Sequence, residues 1–342
     1  MRSVKLVTMK SVHLIIPDLF LPKDFAAEVC ADLHLPVLSK MLTRGSSTQV
    51  KKPNTLESLL RELFGQSGAG DAPIAAISAA YDGLHQGNWL RADPVNLRLQ
   101  RDQLLLASLL PTADESQQIC SSLNEYFAGQ GMAFFAPHPQ RWYVRLDVQP
   151  NIRTTPLPEL FGCNIRGDMP TGEDAAHWHK LFNEIQIMLF AHPVNEARDA
   201  RGESTINSLW LWGEGELVEP LRKDYQAVSS DYELVKMFSN SADIEFSAWN
   251  KQWHESEGKQ LLVWVGLRAA IQRGDLAAWR DALQAFEIGY AQPLWQALQS
   301  GKISQIKIDI LAADNSRSFN IMRSAVWKVW RRSKPLAQFS LV

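Results

Sequence analysis

Cysteine is scarce in this sequence. Cys30, Cys120 and Cys163 are the only three in 342 residues, and their spacing matches neither a zinc motif nor a redox pair. An odd number of scattered thiols makes a poor disulfide framework, so a reducing cytoplasm is the expected compartment. No apolar run approaches the ~18 residues that a spanning helix needs. The first twenty residues lack the small-residue cleavage pattern of a signal peptide. The expectation is a soluble protein without a membrane segment. Excess positive charge is missing too: 35 Lys+Arg against 37 Asp+Glu leaves a net charge of -2. General nucleic-acid binding needs a basic footprint and is not expected. Histidine stops early, all eight lying at or before His254. Any site built from the later residues must therefore do without imidazole.

What is present is globular in texture. With 46% hydrophobic residues and 12 tryptophans, the chain can bury a substantial core in one large domain or two ordinary ones. Residues 12–16 form a short apolar run ending at Pro17-Asp18, which reads as a buried parallel strand with a carboxylate at its C-terminal end. Ligand sites in open α/β sheets gather at such ends, which makes Asp18 a candidate metal or phosphate-site residue as well as an ordinary turn aspartate. Residues 35–45 and 55–64 read as helices, and 73–80 as a further buried strand. A helix is predicted over 113–127, capped by Thr112 or Asp114. Residues 132–136 and 142–148 read as strands. The second sets Arg141, Tyr143, Arg145 and Asp147 against Trp142, Val144, Leu146 and Val148, the alternation of a half-buried antiparallel strand. Later come strands at 208–212, 261–265 and 304–311. A helix over 275–298 should kink at Pro293. The basic, aromatic stretch 317–334, with Trp327 and Trp330, reads best as a packed edge with a solvated charged face, ahead of an RNA-stacking or membrane-surface segment.

The densest polar constellation lies between Asn183 and Gly215. An amphipathic helix breaks at His192-Pro193, because the residue before a proline is driven out of the α region. A polar loop follows with Asn195, Arg198 and Arg201, and then Asn207 and the run Leu209-Trp-Leu-Trp212. Guanidinium groups bind phosphate and carboxylate bidentately, so an oxyanion site is one reading. A self-paired, solvated charge face is the other. Arg91, Arg141 and Arg145 extend the same choice: an anion pocket, or ion pairs with Asp93, Asp147 or Asp199.

These pieces resemble, in order, a known family. Asn183-Glu184, His192-Pro-Val-Asn195 with Arg198 and Gly202, and Asn207-Ser-Leu-Trp-Leu-Trp-Gly-Glu-Gly215 are similar to the substrate region of archaeal-type, cofactor-independent phosphoglycerate mutases of the alkaline-phosphatase superfamily. The helix at 35–45 is similar to the one after that family's first strand. Trp89 to Arg98, Arg141 to Arg145 and the same HPVN and NSLWLWG segments also resemble a bacterial group of RpfE-type regulatory proteins. The resemblance implies an alkaline-phosphatase-like α/β core with a largely parallel sheet flanked by helices. That core would comprise residues 1–90 and 201–342, interrupted by an inserted α+β domain at 91–200. It also implies two divalent metals and a nucleophilic serine. Here the chain departs from the pattern. Asp18 is similar to the first metal aspartate but is followed by Leu19 rather than glycine. The nucleophile region reads Pro53-Asn-Thr55-Leu-Glu-Ser58, leaving Thr55 as the candidate nucleophile position without its neighbouring aspartate and histidine. The last metal pair is represented by Asp314-Asn315, and a neutral amide is a weak metal ligand. Asp18 and Asp314 are then vestigial metal positions.

The expectation is a degenerate, non-catalytic mutase-like protein of bacterial regulatory type. It would bind an anionic or phosphorylated metabolite, or a protein partner, through Arg91, Arg141, Arg145, His192, Asn195, Arg198, Arg201 and Asn207, and would need no cofactor. Two alternatives stand beside it. One is an active phosphomutase or phosphohydrolase using Mn or Zn in a rearranged site. The other is a structural protein that binds a partner through its tryptophans.

Overall fold

The apolar run at 12–16 is a strand, and it lies inside a sheet with a parallel neighbour on either side. The computed structural model describes residues 10–50, 55–66, 72–215, 220–312 and 316–340. Its strands begin with β1 (Ser11–Pro17), β2 (Ser46–Gln49), β3 (Asn88–Gln100), β4 (Gln103–Ser108), β5 (Met132–His138) and β6 (Arg141–Leu146). They continue with β7 (Ser208–Trp212), β8 (Ala227–Ser230), β9 (Glu245–Ala248), β10 (Lys259–Val263), β11 (Gln305–Leu311) and β12 (Arg317–Met322). The chain parts into two units, Met1–Phe64 with Leu221–Val342, and Gly65–Pro220. The expected boundary at 90/91 falls inside β3, and that at 200/201 falls at the end of the helix Pro193–Ala200.

The first unit carries the mostly parallel α/β sheet that was expected. Its order is β2-β12-β11-β1-β10-β8-β9, with β11, β1, β10, β8 and β9 parallel and, at one edge, β12 antiparallel to both β11 and β2. β1 is buried from Val12 to Pro17 because both its faces are covered, which is why it shows no polar alternation. Leu14, Ile16, Ile308 and Ile310 pack with Leu38 and Leu42 of the helix Pro36–Arg44 and with Leu283 and Leu294 of later helices. Each such aliphatic side chain contributes about 1.5–3 kcal/mol by leaving water.

The predicted kink at Pro293 takes a specific form. The helix Leu276–Phe286 passes through a π-helical turn, Glu287–Ala291, before resuming as Gln292–Ser300. Proline has no N–H to offer the carbonyl four residues earlier. That carbonyl, on Gly289, instead accepts the N–H of Trp253 at 2.9 Å. Only glycine fits there, since a Cβ would stand 2.2 Å from the Lys251 carbonyl oxygen. The same turn aims the buried Glu287 carboxylate at the start of Pro36–Arg44, where it accepts from the N–H groups of Val37 (2.7 Å) and Leu38 (3.0 Å). A negative charge at a helix N-terminus satisfies orphan donors and complements the helix dipole.

The second unit holds an antiparallel sheet, β4-β3-β6-β5, with β7 also pairing β3. Two expectations are corrected here. Residues 73–80 form a helix, Ile74–Tyr81, rather than a strand. A run apolar on every side carries no period, and its four alanines favour helix. This helix explains why Tyr143, expected on a solvated face of β6, is fully buried: Ala75 and Ala79 pack with Trp89 and Tyr143. The run 208–212 joins this antiparallel sheet instead of the parallel one, because its partner is the long strand β3, in the register Arg91↔Trp212 to Val95↔Ser208. Among the described residues, no helix is long and apolar enough to cross a membrane.

A polar network ties β1, β11 and β12 of the first unit. His13 is buried on β1, with Nε2 2.7 Å from Asp309 Oδ2 and Nδ1 2.8 Å from the Tyr225 hydroxyl. Asp309 also accepts from Lys307 Nζ (2.8 Å) and Ser318 Oγ (2.5 Å). Burial opposes its charge, yet hydrogen bonds from His13, Lys307 and Ser318 hold its carboxyl down at about 2. Burial, partly offset by Asp309, pushes the His13 pKa below its ordinary value, so the ring is neutral, donates from Nε2 and accepts the tyrosine proton at Nδ1. Both groups hold protons less tightly folded than unfolded. Stability from His13 is therefore complete above its unfolded pKa of about 6.5 and is lost as pH falls below it; that from Asp309 is lost as pH falls from about 4 toward 2. Equilibrium urea unfolding should show stability dropping between pH 7 and 5, and His13→Gln should flatten that slope. An unchanged slope in the variant would assign the drop to other groups.

Candidate functional site

The C-terminal ends of parallel strands are where this architecture places chemistry, and Asp18 stands directly after β1. It adopts a left-handed conformation, φ 62°, which aspartate tolerates better than most residues. Its N–H donates to the Leu311 carbonyl (2.9 Å), and its own carbonyl accepts from the Trp279 indole N–H (3.1 Å). Its carboxylate accepts from Arg268 Nε at 3.1 Å. Arg268 opens a short helix, Arg268–Gln272, soon after β10. Asp231 follows β8 and accepts the Val265 N–H at 2.8 Å; burial pushes its carboxyl up.

Glu57, on the helix Leu56–Leu63, is buried and accepts the Tyr232 hydroxyl proton at 3.1 Å. Burial pushes its carboxyl up, and the Arg268 guanidinium pulls it back in part. Thr55 is the N-cap of that helix. Its Oγ1 accepts the Ser58 N–H (3.2 Å), and its hydroxyl donates to Ser58 Oγ (3.0 Å). The hydroxyl proposed as a nucleophile therefore serves a cap and faces another hydroxyl, not a base.

A two-metal centre needs clustered carboxylates and imidazoles whose charge is free for the metal. Among the described residues, no group of three or more His, Cys, Asp or Glu side chains is placed to hold a metal. The Asp18 carboxylate is already matched to a guanidinium, whose positive charge repels a divalent cation. These residues do not fit the two metals implied by the sequence resemblance. Asp314 lies outside the described residues.

The expected anion-binding residues all fall in the second unit, and most meet partners within it. Arg91 donates to Asp93 Oδ1 from Nε (3.1 Å) and Nη2 (2.6 Å), and lies over the Tyr143 and Trp212 rings. Arg141 grips Asp82 bidentately at 2.9 and 2.8 Å, where Tyr143 also donates (2.6 Å). Burial opposes the Asp82 charge, but these bonds hold its carboxyl below the usual range. Arg145 lies over the Phe135 ring. The ion pairs anticipated with Asp147 and Asp199 are thus made instead with Asp82, for Arg141, and with Glu115, for Arg198.

The three that are not arginines act on the backbone. His192 caps the helix Pro193–Ala200, accepting the Val194 N–H (3.2 Å) at Nδ1 while Nε2 meets Ser122 Oγ (3.0 Å). Burial lowers its pKa. Asn195 donates to the carbonyls of Leu189 (2.8 Å) and Ile206 (2.7 Å) and accepts the Ile206 N–H (2.7 Å). Asn207 imitates a strand partner, accepting the Leu97 N–H (2.7 Å) and donating to its carbonyl (2.9 Å).

Arg198 and Arg201 do share a cleft, about 630 Å³, lined also by Thr112, Glu115, Glu203 and Ser204. Glu115 organises it. As the third residue of a capping box, it accepts the Thr112 N–H (2.8 Å), Arg198 Nη1 (2.7 Å) and Arg201 Nη2 (2.6 Å). Burial opposes its charge, but these donors hold its carboxyl below the ordinary value. Arg198 also donates to the Ser204 carbonyl (2.8 Å) and is buried, whereas Arg201 and its second partner Glu203 are about half exposed. Sequence reasoning missed Glu115, although Thr-x-x-Glu ahead of an apolar run is a readable capping box. It also missed Arg268, Glu57 and Asp82, for which no local signal exists.

No protein-family model matches the chain. It is similar to the 2,3-bisphosphoglycerate-independent phosphoglycerate mutase of Methanosarcina barkeri, 25% identical over 132 residues, which are 36% of this chain and 33% of the relative. The corresponding enzyme 2 of Methanothermobacter thermautotrophicus is 31% identical over 101 residues, 28% of this chain and 25% of the relative. A probable mutase of Geobacter sulfurreducens is 27% identical over 154 residues, 43% and 38% of the two chains. The matched stretch thus spans well under half of each of these relatives. Among solved structures, the cofactor-independent phosphoglycerate mutase of Thermoplasma acidophilum superposes with a TM-score of 0.51 at 11% identity, over 97% of this chain and 95% of that one. A protein of Pyrococcus horikoshii gives 0.53 at 12% identity, over 93% and 88%. In fold the chain is an α/β protein of the cofactor-independent phosphoglycerate mutase type, and in sequence it is similar to those enzymes over part of their length.

Proposed function

We propose that this chain is a phosphoglycerate mutase-like protein that does not transfer phosphoryl groups by two-metal chemistry and serves instead to bind an anionic, phosphorylated metabolite in a regulatory capacity. The observation that carries the first half is the Arg268–Asp18 ion pair at the strand end. A guanidinium stabilises that carboxylate without offering a Lewis acid, and among the described residues the Thr55 hydroxyl donates to the Ser58 hydroxyl rather than to a base. The regulatory reading follows the likeness to RpfE-type proteins.

For the ligand, the Arg201 end of the cleft is the best-suited place. The Arg201–Glu203 pair is half exposed, so water and salt screen it. A phosphate brings more charge and more acceptor oxygens than Glu203, and displaces it at small cost. Glu115 keeps Arg198 in position meanwhile. Arg198 itself supports the cleft. Buried itself and bonded to Glu115 and the Ser204 carbonyl, Arg198 is costly to the fold when replaced by alanine, by about 2 kcal/mol, since Arg201 still neutralises Glu115.

Two measurements test this. Metal content and Mn²⁺- or Zn²⁺-dependent melting, on protein purified without chelator, should show no bound metal and no shift. Bound metal with a rise in midpoint overturns the proposal and restores the enzyme alternative; saturation at about 100 times the dissociation constant would add about 2.7 kcal/mol. Calorimetric titration with 3-phosphoglycerate should show binding that Arg201→Ala abolishes and Glu203→Gln tightens several-fold. Binding unchanged in both variants would remove the cleft from consideration.

A further inference from the structure

The stretch expected to be a packed edge is packed only in its first half, where Phe319, Ile321 and Ala325 are buried. Trp327, Val329 and Trp330 are 74%, 71% and 73% exposed, although the segment carrying them is firmly held. It leaves β12 through a 3₁₀ turn, Arg323–Trp327, whose Ala325 is buried. Arg44 Nη1 donates to the Val326 carbonyl (2.9 Å), and the Lys334 N–H donates to Thr43 Oγ1 (3.1 Å). Lys328 and Arg331 reach the carbonyls of Arg44 and of Thr43 and Gly45, at the C-terminus of the helix Pro36–Arg44. Cations at a helix C-terminus complement its dipole. The exposed indoles are thus set in place by the fold and do not belong to a fraying end.

The charge along this stretch of chain is of one sign. Residues 316–342 contain Arg317, Arg323, Lys328, Arg331, Arg332 and Lys334 and not one Asp or Glu, in a chain whose net charge is -2. In Trp327-Lys-Val-Trp-Arg-Arg332, apolar and cationic side chains are interleaved. Tryptophan and arginine are common in protein–protein interfaces but lysine is depleted there, and a chain of net charge -2 lacks the wide basic footprint of a nucleic-acid binder. The headgroup layer of an anionic bilayer accepts both kinds of side chain at one depth: indoles favour the membrane–water interface, and Lys and Arg are attracted to anionic lipid. Neither signal is sufficient alone, and stable anchoring takes two.

We propose that residues 322–334 form a docking surface for an anionic lipid bilayer, holding the protein peripherally through Trp327 and Trp330 with Arg332 and its neighbours supplying charge attraction. The surface belongs to the first unit and the cleft at Arg201 to the second.

Sedimentation of the full chain with extruded vesicles tests this. Binding is expected to mixed phosphatidylcholine–phosphatidylserine vesicles and not to phosphatidylcholine alone, weakening as salt rises. Arg332→Ser should lower partitioning roughly fivefold, the effect of one basic residue near a charged membrane. Trp327→Ser with Trp330→Ser should lower it by about tenfold or more, with thermal melting unchanged because both side chains are exposed. Absence of binding to the mixed vesicles overturns the proposal, as does binding that survives the double tryptophan change. Two other outcomes also overturn it: capture of a single-stranded oligouridylate without vesicle binding, which assigns the surface to nucleic acid, and self-association abolished by the tryptophan changes, which assigns it to a second copy of the chain.

Discussion

A carboxylate left at the end of a buried parallel strand has to be matched by positive charge, and in the first unit that charge is the guanidinium of Arg268. Much else about the strand-end region follows from that choice. A divalent cation draws several anionic and imidazole ligands around itself, whereas a guanidinium needs one carboxylate and can sit beside groups that are neutral. Glu57 fits this arrangement, since burial pushes its carboxyl toward the protonated form, with Tyr232 donating to it. Asp231 shows the same upward shift by burial while capturing the Val265 N–H. The result is a region balanced by side-chain charge, with Thr55 relegated to capping a helix.

The second unit obeys the same rule with different residues. Arg91 is matched to Asp93, Arg141 to Asp82, and Arg198 to Glu115, so guanidiniums that would otherwise be uncompensated inside the protein are neutralised where they lie. The asparagines do comparable work on the backbone: Asn195 joins the end of one helix to the approach to β7, and Asn207 completes the edge of β3. Within the motif that reads as a binding loop, Asn195 and Asn207 also fix the approach to the strand Ser208–Trp212 against its neighbours. More open to solvent are Arg145, over the Phe135 ring, and the half-exposed Arg201 with its outer partner Glu203.

How much of this was legible depended on whether the determining interaction was local. The strand at 12–16, the helix after Leu35 and the disturbance at Pro293 are written in short-range pattern and in proline geometry, and the structure has each of them. Residues 73–80 could not be read correctly because an apolar run lacks a period, and the evidence for a helix lies in what it covers, Trp89 and Tyr143. The strand at 208–212 was recognisable as a strand but not as a partner of β3, since pairing joins residues more than a hundred positions apart. The same distance hid the partners of the candidate site. Arg141 meets Asp82 across 59 residues and Asp18 meets Arg268 across 250. Sequence could nominate the arginines; only the fold shows which carboxylates Arg91, Arg141 and Arg198 meet.

That accounting also gives the exposed tryptophans their meaning. Where this chain places a cation inside, it supplies a carboxylate, and where it ends a helix, it supplies Lys328 and Arg331 for the carbonyls. In the same stretch, Arg332 and two indoles are left facing water with no acidic residue from position 316 onward to answer them. Exposing two tryptophans forgoes burial worth about 1.5–3 kcal/mol for a large apolar side chain, in a segment that the fold nonetheless takes care to hold. A surface that is rigid, apolar and charged with one sign is complementary to something outside the chain, and an anionic bilayer matches all three properties at once.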